Sequence, residues 1–310
     1  MSTEEEEEDD TFYKMLKKQC SKCTKKTLQT YHQSIRRLYK LNNEGSIPTT
    51  AKWLKSEKLF EKYKKIPVNI RRHLSTGAQK AVQAYKLEEY TKWYTAMLED
   101  QQLYQTQREK GEKSETEKKL WLKGGVKDIK KASNEVKRRL RHELTQDPNL
   151  NTLYRYQFYL ILKLFAELPV RNTFASLKVS GTKGNHIVQP RKGNIKFVFT
   201  EFKNSDKLGP RTLELSRAAT MALRKFLAYR KGLVEHDFLL STKRGEPLSK
   251  SAMGKALHVV TKEILGKSVG SRLFRVIHAT EQRDVITAAS ELSKKMLHSE
   301  RRTADYVRND

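Results

Sequence analysis

A mainly helical α+β fold in two domains follows from three features of this 310-residue chain. Apolar residues recur at spacings of three and four through most of its length. A cluster of short alternating segments between residues 186 and 215 has the period of strands, and the polar stretch 105–119 separates two regions of different texture. The length suffices for two independent cores.

Residues 1–12 read as an acidic disordered head, because the first ten hold seven acids and no base. Residues 13–104 read as a helical domain. Leu28, Tyr31, Ile35 and Leu38 make one apolar stripe, and the aromatic and charged mixture of Tyr85–Tyr94 continues the pattern. At helical spacing such aromatics are core residues more often than platforms for stacked bases. Residues 105–119 contain no apolar side chain and are expected to be an interdomain linker.

Residues 120–310 form the second domain. Thr152–Leu168 is apolar nearly all round, which predicts a buried helix stopped by Pro169. Three strands are expected at His186–Gln189, Ile195–Phe202 and Arg211–Leu215, with Asp206, Gly209 and Pro210 in the last turn. Helices resume over Arg217–Arg230, closed by Gly232, and over Ser249–Leu265, closed by Gly266.

The formal net charge of +27, from 63 Lys and Arg against 36 Asp and Glu, implies a polyanionic partner. An RNA-coating protein is the plainer reading of charge alone, yet 37% hydrophobic residues favour folded domains over a basic tail. Cys20 and Cys23 lack the second ligand pair of a structural zinc site, so a reduced thiol pair is expected. No apolar run has membrane-spanning length and no signal peptide precedes the acidic start. An intracellular, non-secreted protein is the expectation, in the nucleus or at a viral replication site.

Four residues carry the chemistry. Arg171 stands in Leu-Pro-Val-Arg-Asn-Thr-Phe-Ala-Ser-Leu, and Arg275 in Arg272-Leu-Phe-Arg-Val-Ile-His-Ala-Thr280. His298 is followed eight residues later by Tyr306. Two guanidinium forks match the non-bridging oxygens of a phosphodiester. A histidine adds a donor as charge develops, and a phenol activated by nearby cations can attack phosphorus. Singly, each is weak evidence in so basic a chain; the ordered set is the signal.

The order and spacing resemble the tyrosine recombinase (phage-integrase-like) family. The chain is closest in flavour to integrases of eukaryotic DNA viruses, virophages and related mobile elements. Arg171-Asn-Thr-Phe-Ala-Ser-Leu looks like the first arginine box, Leu273–Thr280 like the second and Met296–Tyr306 like the third. Lys26–Tyr31 resembles the start of the helical core-binding domain that opens these enzymes.

The resemblance implies a tyrosine-recombinase catalytic domain with a small antiparallel sheet, acting on double-stranded DNA through a 3′-phosphotyrosine. It implies two protomers per site and a tetrameric synapse. It also implies a leaving-group acid on the small sheet, for which Lys203 is the better placed and Lys207 the rival. No metal or nucleotide cofactor is implied, and no Gly-x₄-Gly-Lys-Ser/Thr or His-Glu-x-x-His motif is present.

Two positions depart from the family pattern. Arg272 stands where a His or Lys is usual and is a poor proton acceptor; Phe174 stands where an acid often lies three residues after the first arginine. The alternatives are therefore a type IB topoisomerase on the same constellation and a DNA-binding relative without catalysis.

Overall fold

In the computed structural model the described residues are 11–297, except 46, 48, 88 and 89. The chain divides into two compact units between Lys113 and Ser114.

The first unit is helical: α1 (Thr11–Gln19), α2 (Lys25–Tyr39), α3 (Glu57–Lys64), α4 (Val68–Ala84) and α5 (Lys92–Glu109). Thr24 caps α2 by accepting from the Thr27 amide, and the helix buries Leu28, Ile35 and Leu38, with Tyr31 half-buried. Helices α2 and α4 approach closely at Gly77, where an added Cβ would meet the Ser34 Cβ at 2.8 Å. Trp93 is fully buried and donates from its indole Nε1 to the Leu54 carbonyl at 2.9 Å. Beside it, fully buried Asp100 accepts from the Tyr63 hydroxyl and, at 2.6 Å, from Arg71 Nε. That pairing satisfies a carboxylate that would otherwise be costly to bury.

The expectation of reduced thiols is corrected here. Cys20 and Cys23 are joined in a disulfide, their Cα atoms 5.4 Å apart across the turn that follows α1. A turn closed by the Cys23 amide on the Cys20 carbonyl at 3.0 Å brings the two side chains within bonding range.

The second unit is α+β and mainly α. Its elements are α6 (Glu115–Leu120), α7 (Val126–Arg139), α8 (Leu150–Phe165), β1 (His186–Val188), β2 (Lys196–Phe199), α9 (Ser205–Leu208), β3 (Arg211–Glu214), α10 (Arg217–Arg230), α11 (Lys250–Leu265), α12 (Ser271–Glu281) and α13 (Arg283–Lys295). The Asn149 side chain caps α8 through the Thr152 amide at 2.9 Å. This helix packs on both α7 and α10 and buries residues on every side, so its sequence is apolar all round. Helices α10 and α11 match their expected spans, opened by Ser216 and Ser249 caps; Gly266 closes α11 in the left-handed conformation at φ 66°.

The sheet is antiparallel in the order β1-β2-β3, with Ile187 opposite Phe197 and Phe199 opposite Arg211. Ile187, Phe197 and Phe199 face the core and are buried. Two expectations change. Strand β2 stops at Phe199 rather than Phe202, because the buried Asn185 side chain accepts the Thr200 and Glu201 amides, each at 2.9 Å, and takes them out of the ladder. The turn before β3 contains one helical turn, α9, ahead of Gly209 at φ 65°.

Within the polar stretch 105–119, where the division between the two units falls, α5 runs to Glu109 and α6 begins at Glu115. Ser114 and Glu117 form a reciprocal capping box that starts α6. The lack of apolar residues reflects exposure of these helices, not loss of helix. Among the described residues, no helix is long and apolar enough to cross a membrane.

Candidate active site

Two arginine-bearing segments hang from one aromatic cluster. Helix α8 ends at Phe165, three residues short of the expected Leu168, Pro169 lies in the irregular segment beyond it, and Arg171 opens the short 3₁₀ turn Asn172–Ser176 with its own backbone extended. Three residues on, Phe174 is fully buried, its ring 5.1 Å from Phe165 and 6.1 Å from Phe197. Phe274 is likewise fully buried on α12, 5.3 Å from Phe165, and presents the next residue, Arg275. His278, one turn later, donates from Nε2 to the Phe165 carbonyl at 2.8 Å and ties α12 to the end of α8. Phe174, the departure from an acidic residue, is therefore a core residue that joins the first arginine segment to the sheet.

Arg171 and Arg275 line a single cleft of about 280 Å³. Lys203 lines it too, from the turn that follows β2, and so does Arg211 at the start of β3. Thr173 and Asn204 add polar groups, while Phe199, Phe202 and Leu213 supply apolar floor. No Asp or Glu is among the described residues of the lining. Burial lowers the Arg275 guanidinium from its ordinary value, and the positive charges of Arg171 and Arg272 lower it further. Cations held together in this way are relieved by a bound anion, and a guanidinium stays protonated regardless.

The backbone that carries Lys203 is held from beneath. Asn185 is 2% exposed and uses its whole amide: Oδ1 takes the two amides named above, and Nδ2 donates to Ser176 Oγ at 2.7 Å and the Glu201 carbonyl at 2.9 Å. The segment entering the Lys203 turn is thereby fixed to the segment that follows Arg171. Lys207 sits on α9 and does not line the cleft.

Arg272 is placed differently. It lies in the first turn of α12, and its Nη2 is 3.2 Å from Glu117 Oε1 of α6. It lines a separate recess of about 310 Å³ with Asn172 and His258, not the cleft of Arg171 and Arg275. His298 and Tyr306 lie outside the described residues.

Sequence reasoning did not single out Arg211 or Asn185. The signal for Arg211 was the alternation of β3, which puts it on the face of Leu213 and opposite Phe199. Asn185 had no usable signal, since a lone Asn before a strand reads as an ordinary turn residue.

No protein-family model matches the chain, and no curated protein matches it. Among solved structures it is similar to the crystal structure of XerA recombinase, with a TM-score of 0.36 and 14% identity over 88% of this chain and 84% of that one. So distant a likeness carries no argument about activity.

Proposed function

We propose that this protein is a site-specific DNA recombinase or integrase that breaks and rejoins duplex DNA through a 3′-phosphotyrosine on Tyr306. The observation that carries the proposal is the gathering of Arg171, Lys203 and Arg275, remote in sequence, in one cleft free of acidic lining. The two arginines hold the non-bridging oxygens of the scissile phosphate, and charge accumulating in the transition state is met by fixed cations. Lys203 donates a proton to the leaving 5′-oxygen, and its place in the lining favours it over Lys207. His298 adds a further donor to the phosphoryl group. The phosphotyrosine bond conserves the energy of the broken linkage, so rejoining needs no nucleotide. Two protomers act per site and four in the synapse, as the resemblance implies.

One observation favours a second reading. Arg272, at the position of the family's His or Lys, is engaged by Glu117 outside the cleft. A DNA-binding relative without catalysis fits that placement. The deciding experiment mixes purified protein with supercoiled plasmid in EDTA, quenches with SDS and searches for DNA covalently linked to Tyr306 by mass spectrometry. An adduct in wild type and none in Tyr306→Phe supports the recombinase chemistry; binding without adduct in both supports the second reading. Recombinant junctions, as opposed to relaxed topoisomers alone, separate a recombinase from a type IB topoisomerase.

A further inference from the structure

We infer that Arg211 is a further phosphate-binding residue of the cleft, holding the phosphate next to the scissile one on the same strand. The inference rests on the proposed function and deepens it. Strand β3 alternates: Thr212 and Glu214 are exposed on one face, where Glu214 pairs with Lys196 at 3.5 Å, and Arg211 and Leu213 share the other. Arg211 lies opposite Phe199 in register, on the sheet face that Phe199 shares, and it lines the cleft. Arg211 makes no ion pair among the described residues, unlike Lys196 on the outer face and Arg272 on α12.

Two arginines already suffice for the two non-bridging oxygens of one phosphodiester. A third guanidinium in the same lining is superfluous for that phosphate, and the cleft of about 280 Å³ has room for a sugar beside a phosphoryl group. The adjoining phosphate of the strand is the anion that fits the remaining fork. Holding it would set the register of the strand, so that the scissile phosphorus stands over Arg171 and Arg275.

The test uses the full-length chain and two small probes, thymidine 3′,5′-bisphosphate and thymidine 3′-monophosphate, with binding read by ligand-observed NMR. Wild type is expected to prefer the bisphosphate by about tenfold, the scale of one charge-assisted fork. Arg211→Ala should bind the monophosphate as before and lose the preference, while Arg211→Lys keeps part of it. On a random-sequence duplex, the log–log salt slope of Arg211→Ala should fall by about one. An undiminished preference and slope in Arg211→Ala would overturn the assignment, as would a wild type that binds neither probe. Neither readout requires strand cleavage, so failure here and absence of a Tyr306 adduct are separate results.

Discussion

Replacing Asn185 with Ala removes four hydrogen bonds from a side chain that is 2% exposed. Buried hydrogen bonds contribute on the order of 1 kcal/mol net each. Glu201 is exposed, so its freed amide and carbonyl can turn to water and part of the cost is recovered. The expected local destabilisation is about 2–3 kcal/mol. Amide exchange reports it directly, because the Thr200 and Glu201 amides donate to Asn185 Oδ1. Their exchange should quicken on the order of 30- to 150-fold in Asn185→Ala, read by mass spectrometry on a peptide spanning 196–204. Adduct yield on plasmid should fall with it, since the Lys203 turn loses its anchor, whereas DNA affinity should hardly change. Exchange quickened by less than about threefold, with wild-type adduct yield, would refute the view that Asn185 positions Lys203.

Other expected outcomes follow from the same geometry. Lys203→Ala should lower the rate of adduct formation by roughly 10²- to 10⁴-fold, the range of general acid catalysis, while Lys207→Ala leaves it near wild type; equal losses would remove the basis for choosing between them. Asp100→Ala should cost the first unit about 3–5 kcal/mol in urea unfolding, because the Arg71 guanidinium and Tyr63 hydroxyl lose their shared carboxylate; a loss below about 1 kcal/mol would contradict this. Tyr156 is buried, which pushes its phenol up to about 12, with Tyr159 adding to the effect. The folded state therefore keeps this proton where the unfolded chain, titrating near 10, has released it. The resulting stability is complete below about pH 10 and is lost as pH rises toward 12. Tyr156→Phe should reduce that decline in urea midpoints between pH 9 and 11, Tyr154 and Tyr159 accounting for part of what remains because their phenols are also raised by burial.

Local rules carried the sequence reading a long way. The stripe of Leu28, Ile35 and Leu38, the all-round apolar run of α8 and the closing Gly266 are periodic or conformational signals confined to a few residues, and each maps onto the structure. They specified a mainly helical protein with a small sheet; Arg171 and Arg275 were singled out by phosphate chemistry and the resemblance to the arginine boxes, and Lys203 by the resemblance alone. Local rules failed where a distant side chain intervened. The apolar alternation over 195–202 does not reveal that Asn185 withdraws two amides and ends β2 early. Nor does composition over 105–119 show that helix runs to Glu109 and resumes at Glu115 on either side of the division between the units.

What the chain determined by itself is the elements whose periods are written in neighbouring residues, among them the α2 stripe, α8, α10, α11 and the three short strands. What only the tertiary structure decided is company. Packing Phe174 and Phe274 against Phe165 brings Arg171 and Arg275 to one cleft, the sheet register adds Arg211, and Arg272 pairs with Glu117 elsewhere. These are contacts between residues far apart in sequence, and packing of buried surfaces, not any local preference, selects them.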